Sequence, residues 1–201
     1  SYSMEGEDLI ILDLTKNISN GFYVDAGSYH PIHLSNTHLL HKKNWSGINI
    51  DLSKFSTDLF NFIRPNDINV NAAVSITEKD VIFYYQKKLS PLTTVKKEIS
   101  RERMQGEIKE KRIKAFRLDT IINKSRFKNR KIDFLNIDLE GADFEALQSL
   151  NYEIYMPSVI CIEINESNVV KSNTFKFLKD KGYKMVWSSK SNFSHIFINK
   201  T

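Results

Sequence analysis

Two apolar strand patterns, each closed by an acid, constrain this chain most. Residues 21–27 read Gly-Phe-Tyr-Val-Asp-Ala-Gly, and an apolar run ends there in Asp25 and a glycine turn. About 26 residues later, Gly47-Ile-Asn-Ile-Asp51 ends a second run in another acid. A short helical pattern lies between them. This is the layout of a βαβ unit whose crevice receives a nucleoside. Gly27 lets backbone amides approach the ligand, and Asp51 can take both ribose hydroxyls.

Apolar periodicity extends the pattern along the chain. Helices are predicted over 7–16, 35–43 (with Ser35 or Asn36 as N-cap), 53–63, 143–150 and 172–181. Strands are predicted over 22–26, 47–51, 68–75, 81–86, 133–138 and 159–164. A short strand and helix are expected over 118–123. Residues 183–188 and 195–199 suit a closing β-hairpin. Strand and helix alternate until that last pair, which predicts an α/β fold: a mostly parallel sheet, helices on both faces, an antiparallel edge. At 201 residues, without a Gly- or Pro-rich linker, one domain over 1–201 is expected.

Composition excludes several classes. No apolar run approaches the roughly 20 residues that cross a bilayer, so no transmembrane segment is expected. Residues 1–8 are polar and acidic, unlike a secretory signal. Cys161 is the only cysteine and lies in a buried-strand pattern, so no intrachain disulfide forms. Together these lead to the expectation of a cytoplasmic protein. The net charge is +5, but residues 87–114 hold ten Lys/Arg and four Glu, so that segment alone exceeds the whole. A generic polyanion-binding surface is not indicated, and a nucleic-acid partner is not expected. The segment reads as a basic insertion, mobile or partly helical, placed as a lid.

Seven polar residues fall at the carboxyl ends of predicted strands: Asp25, Asp51, Asn71, Asp138, Glu140, Glu163 and Asn165. In an open α/β sheet those ends form the ligand crevice. There is no Gly-x-x-x-x-Gly-Lys-Ser/Thr loop, and the first turn runs into His30-Pro31 instead of completing Gly-x-Gly-x-x-Gly. A diphosphate has no seat there. A ligand with ribose and adenine but no phosphate fits, and S-adenosylmethionine is such a ligand.

The chain then resembles a known family. Ser3-x-x-Gly6-Glu7-Asp8, Val24-Asp25-Ala26-Gly27, His30-Pro31, Ser35-Asn36-Thr37, Gly47-Ile48-Asn49-Ile50-Asp51, Asn71-Ala72-Ala73-Val74-Ser75 and Ile137-Asp138-Leu139-Glu140-Gly141 look like FkbM-type methyltransferases. One departure is Met4, where that family often has Gln. The resemblance implies a Rossmann-like, doubly wound seven-stranded methyltransferase sheet, S-adenosylmethionine as donor, and O-methylation, often of a sugar hydroxyl. It assigns Asp25 and the Gly27 backbone to the methionine and ribose side and Asp51 to the ribose hydroxyls. Asn71 and Ala72 would flank the adenine. Thr37 would line the pocket or cap a helix, and Asp138 counts with the cofactor set as well as with the catalytic one. Glu7 and Asp8 would reach the donor amino group or the acceptor, or cap the first helix.

An O-methyltransferase must align a hydroxyl behind an electrophilic methyl and remove its proton. Asp138 and Glu140, two apart on an extended segment, can point together into the crevice, one as base and one orienting the acceptor. With Glu163 they can instead hold a divalent cation that acidifies the hydroxyl. His195 is a rival base. The expected acceptor is a small molecule or glycan, and the basic insertion suggests an anionic one. Nucleic-acid methylation and a catalytically inactive nucleoside-binding domain are the alternatives. Oligomeric state is not legible.

Overall fold

A computed structural model describes residues 1–199. The strands are β1 (Phe22–Ala26), β2 (Ser46–Asp51), β3 (Ile68–Asn71), β4 (Ala73–Val74), β5 (Asp80–Tyr85), β6 (Lys109–Phe116), β7 (Phe134–Ile137), β8 (Val159–Glu163), β9 (Tyr183–Ser188) and β10 (Ser194–Asn199). The helices are α1 (Glu7–Leu14), α2 (His38–Lys42), α3 (Lys54–Ile63), α4 (Lys97–Arg103), α5 (Leu118–Asn123), α6 (Asp143–Gln148) and α7 (Asn173–Asp180).

Seven strands form one sheet in the order β3-β2-β1-β7-β8-β10-β9. β1, β2, β3, β7 and β8 run parallel, and β10 runs antiparallel to both β8 and β9. This is the mostly parallel, Rossmann-like sheet with a C-terminal hairpin that the alternating pattern requires. β1 and the four residues of β7 are buried throughout, as strands covered on both faces must be. Alternate side chains feed two cores. Phe22, Val24, Leu135, Ile137, Ile160 and Ile162 pack with α5, α6 and α7. Tyr23, Phe134, Cys161 and Ile196 pack with Ile11 of α1 and Leu40 of α2.

The chain goes from β1 outward to β2 and β3, then returns to place β7 on the other side of β1. The order therefore reverses between β1 and β7. Crevices open at the carboxyl ends of the strands at such a point. Gly27 follows β1 there with φ +86°, and a Cβ on it would lie 1.7 Å from the Asp138 carbonyl oxygen. Only glycine permits that approach of the two strand-end turns.

Four elements differ from the sequence-based expectation. Residues 68–75 form two strands, because the chain turns at Ala72 and β4 joins β6 in a second sheet of order β4-β6-β5. The basic segment 87–114, expected to be mobile or partly helical, is partly helical in α4, and it also supplies most of β6, which pairs antiparallel with β5 over 80–85 and 109–114. The first four residues of β6, Lys109–Arg112, are exposed in succession. A strand that opens with four exposed charged residues carries no apolar alternation to read there. The helix expected over 35–43 shortens to His38–Lys42 with Thr37 at its N-cap, freeing Ser35 and Asn36 for other contacts. Residues 118–123 are helical without a preceding strand.

Candidate functional site

A cavity of about 860 Å³ opens over the carboxyl ends of β1, β7 and β8. Such a volume admits a nucleoside cofactor together with a small acceptor. The turn Gly27-Ser28-Tyr29 lines one side. The turn Asp138-to-Gly141 lines another, and Glu163 with Asn165 closes β8. Residues 193–194 and the first turn of α1 complete the wall.

Asp25 sits in the floor, and its setting is built by a buried polar network. Thr37 Oγ1 donates to Asp25 at 2.8 Å and Asn136 Nδ2 donates at 2.9 Å. Behind Thr37 lies Arg64, fully buried, whose guanidinium donates to Thr37 Oγ1 at 2.9 Å, Tyr23 Oη at 3.0 Å and Ser35 Oγ at 3.1 Å. Asp67 accepts from Tyr23 Oη, the Gly47 amide and Asn49 Nδ2. Burial pushes the Asp25 carboxyl up, against the pull of Asn136, Thr37 and Arg64. Thr37 thus supports Asp25 from behind and is itself fully buried, outside the cavity lining.

Asp51 closes β2, behind the turn that follows Gly27. Its carboxylate accepts from the Tyr29 amide at 2.8 Å and the Ser53 amide at 2.7 Å. Burial nonetheless raises its pKa to about 6, with those amides opposing and Asp25 adding to the rise. Asn71 Nδ2 donates to the carbonyls of Asp51 and Leu52, and the Ala72 amide donates to the Asp51 carbonyl. The structure therefore brings Asp51, Asn71 and Ala72 together at the ends of β2 and β3. None of the three lines the cavity; Asp51 touches its wall only through the amide of Tyr29.

Across the crevice, Asp138 faces the open cavity, and three of its neighbours are acids. One carboxylate oxygen from each of Asp138, Asp143 and Glu163 falls within 4.8 Å of the others. Although Asp138 is exposed to the open cavity, the protein packed around it and then Glu163, Asp143 and Glu140 hold its carboxyl above the usual carboxylate range. Burial raises Asp143 to about 7, with Glu163 adding to the effect. Burial and Glu163 raise Glu140 to about 7 although Arg103 pulls it down. Glu163 is raised by burial too, and its Oε2 is buried without a hydrogen-bond partner. Such a set of oxygens can receive a cation, whether a metal ion or an organic one.

The local turn explains how these acids are held. Asp143 accepts from the amides of Leu139 at 2.7 Å and Gly141 at 2.9 Å, so the first residue of α6 clamps the preceding turn. Glu140 is left-handed at φ 49° and Gly141 follows at φ 93°. A non-glycine residue in that region costs on the order of 1 kcal/mol and marks a constrained site. The segment between β5 and β6 supplies the constraint. Thr94 Oγ1 donates to the Glu140 carbonyl at 2.8 Å, and Ile99 covers Gly141. Arg103 of α4 pairs with the Glu140 carboxylate and donates to Asn165 Oδ1 at 3.1 Å.

Other expected residues fall elsewhere. His195, the rival base, is fully buried and does not line the cavity. Its Nδ1 pairs with Ser188 Oγ at 2.9 Å and its Nε2 with the Asn192 carbonyl at 3.2 Å, and burial lowers its pKa. Both ring nitrogens are spent on tying the last two strands, which corrects that expectation. Asp8 binds Ser1, Tyr2 and Ser3 and so organises the start of the chain, whereas Glu7, 2% exposed, lines the cavity. The cysteine Cys161 is buried with its pKa pushed up, as a core residue. Arg64, Asn36, Asn136 and Asp143 were missed. Asn36 Nδ2 donates to Asn136 Oδ1 at 2.9 Å. Asn36 lies in the Ser35-Asn36-Thr37 motif, where the sequence suggests no role for it beyond a helix cap, and no strand-end or motif rule marks Arg64, Asn136 or Asp143.

The basic insertion gives the cavity a single cation. Among the described residues, the lining holds nine carboxylates, the arginine Arg103 and no lysine. An acidic wall repels an anionic acceptor, so that expectation is not carried by the geometry. No helix among the described residues is long and apolar enough to cross a membrane.

The family model for the FkbM methyltransferase domain matches residues 25–185. No curated protein and no solved structure matches the chain.

Proposed function

This chain belongs to the FkbM methyltransferase family and is a methyltransferase, and from that premise we propose that it moves a methyl group from S-adenosylmethionine to a hydroxyl of a sugar, glycan precursor or related metabolite. The observation that carries this reading is the carboxylate-lined cavity at the β1/β7 reversal, with Asp25 and Gly27 on one side and Asp138 and Glu140 on the other. The residues present suit a cationic nucleoside donor. Asp51 offers a carboxylate for ribose hydroxyls, and the acids around Asp138 offer a negative field for a sulfonium and an amino group.

When bound, the donor supplies a methyl group made electrophilic by positively charged sulfur. The chain must then hold a hydroxyl in line and receive its proton. Asp138 and Glu140 are the groups we assign to that work. Carboxyls raised above the ordinary carboxylate range are better matched to a hydroxyl proton than ordinary ones. Glu140 sits on a turn fixed by Thr94, Asp143 and Arg103, so its oxygen is positioned before an acceptor arrives. Asp138, Asp143 and Glu163 would hold a divalent cation where the reaction uses one.

The acidic lining disfavours a nucleic-acid acceptor, whose phosphates would have to approach nine carboxylates. Calorimetry with S-adenosylmethionine and its demethylated product, followed by methyl-labelled donor with fractionated glycans in the presence and absence of a chelator, tests the reading. Saturable donor binding and label in a hydroxyl-bearing product support it. Failure of both cofactor forms to bind refutes it.

A further inference from the structure

A second cavity lies apart from the crevice over β1, β7 and β8, and its charge is the reverse. About 340 Å³ of space opens between the start of α3, the β5–β6 ribbon and the segment that leaves β5. It shares no lining residue with the larger cavity. Its wall holds Lys54, Lys87, Lys88 and Lys111 against a single acid, Asp58. Lys54 already pairs with Asp58 at 2.7 Å. Lys87, Lys88 and Lys111 enter no ion pair among the described residues. Three ammonium groups therefore line one concavity without a counter-charge.

Aromatic rings make much of the remaining wall. Phe83 and Tyr85, two apart on β5, share one face of the strand with ring centroids 5.4 Å apart, and Lys111 sits opposite Phe83 across the ribbon. Phe55, in the first turn of α3, lines the cavity too and is 46% exposed, a large ring left half open to water. Low-dielectric walls concentrate the field of the lysines within the concavity. The segment that carries Lys87 and Lys88 is fixed at both ends. Ser53 Oγ donates to the Lys88 carbonyl, and Tyr84 and Thr94 exchange backbone hydrogen bonds at 2.8 and 3.2 Å.

A phosphate monoester carries close to two negative charges and three strong acceptor oxygens near neutral pH. Three lysines can answer both the charge and the oxygens. A flat ring joined to that phosphate would cover the aromatic wall, as bases do when they stack on such side chains. The volume lies at the lower end of the roughly 300–1,000 Å³ of small-ligand sites, room for one such molecule and no more. We propose that this cavity is a second ligand site, for a phosphate monoester bearing a planar ring, of nucleoside monophosphate size. The phosphate sits among Lys87, Lys88 and Lys111, and the ring lies against Phe55, Phe83 and Tyr85. The site stands independently of the methyl-transfer reading, since the two cavities have no lining residue in common.

The test is calorimetry on the whole chain at about 0.15 M salt. Uridine monophosphate is compared with uridine, inorganic phosphate and glucose 6-phosphate; a pyrimidine is chosen because adenosine compounds would also enter the donor crevice. Uridine monophosphate is expected to bind at least about tenfold more tightly than the other three. Lys88→Gln, Lys111→Gln and Phe55→Ala should each weaken it about three- to tenfold. All three side chains are exposed, so the melting temperatures should stay close to that of the parent. Lys128→Gln, exposed and lining neither cavity, should leave the affinity within about twofold. Absence of binding by uridine monophosphate overturns the proposal. So does equal or tighter binding of uridine, phosphate or glucose 6-phosphate, or an equal loss in Lys128→Gln. A short oligouridylate that binds more than about tenfold more tightly than the monophosphate also overturns it, and marks the face as a nucleic-acid surface instead.

Discussion

The hydroxyl of Thr37 donates to Asp25 at 2.8 Å while accepting from Arg64 at 2.9 Å. A fully buried guanidinium is thereby linked to the floor of the cavity without touching it. The same arginine bonds Tyr23 Oη, which donates to Asp67 at 2.5 Å. Two buried carboxylates flank one buried cation, and the hydroxyls between them carry the geometry.

Removing the cation should therefore cost more than removing a relay. Arg64→Met leaves Asp25 and Asp67 uncompensated, and a loss of about 3–5 kcal/mol is expected in urea denaturation. Thr37→Val breaks one relay and should cost about 1–3 kcal/mol. A loss below about 1 kcal/mol for Arg64→Met would show that the network contributes little.

The contrast with Asp25 itself shows what the chain reveals in sequence and what it hides. Asp25, Asp51, Asp138 and Glu163 were legible because each closes an apolar strand, and strand ends converge at the order reversal. The seven-stranded sheet was legible for the same reason. Arg64 was not: its partners lie 27 to 41 residues away, and in the sequence it only separates a helix from Pro65. The β5–β6 ribbon was half legible. Val81, Phe83 and Tyr85 mark β5, whereas β6 opens with exposed charges and pairs through its backbone. The reach of Arg103 from α4 to Glu140 follows from that pairing and could not be read without it.

A measurable pH signature follows from Asp51. Burial holds its folded pKa at about 6, above the ordinary carboxylate value near 3.8. Folded protein thus binds the proton more tightly than unfolded chain, and the stability so gained is complete below about pH 4 and lost as pH rises through 6. Buried histidines such as His195, with lowered pKa, run the other way. The informative quantity is the difference between Asp51→Asn and the parent. That difference should move in favour of the variant by roughly 1–3 kcal/mol between pH 4 and pH 7. The fixed cost of an amide facing the Tyr29 and Ser53 amides cancels in the slope. A flat difference across that range would contradict it.

His195 should behave as a structural residue. Both of its nitrogens are engaged and its ring is fully buried. His195→Leu leaves Ser188 Oγ and the Asn192 carbonyl without a partner, so about 1–3 kcal/mol of stability should be lost. Turnover of the folded fraction should stay within about threefold of the parent. A hundredfold fall in kcat with unchanged stability would return His195 to the mechanism.

Donor binding should depend on Asp51 more than on any acid across the crevice. Its carboxylate fixes the Tyr29 amide and so the turn that follows Gly27. Asp51→Ala removes both the ribose acceptor and that restraint. A fall on the order of 100-fold in affinity for S-adenosylhomocysteine is expected by calorimetry, equivalent to about 2.7 kcal/mol. Retention of parental affinity would move the ribose away from β2.

The last expectation separates chemistry from binding. Asp138 and Glu140 share one turn, yet Arg103 grips only Glu140, and Asp138 faces Glu163 and Asp143. If these two carboxyls receive and steer the hydroxyl proton, Asp138→Asn and Glu140→Gln should each lower kcat by about 10²- to 10⁴-fold. For Glu140→Gln the affinity for S-adenosylhomocysteine should change little, because Glu140 is held by Arg103 away from Asp25, Gly27 and Asp51. The two variants should differ in one respect. Asp138→Asn removes a charge from a crowded set of acids and should stabilise the fold above pH 7, where that crowding is worst. Glu140→Gln releases Arg103 from its ion pair and should give no such gain. Parental turnover in both variants would remove the pair from the reaction and leave proton transfer to the acceptor's own surroundings.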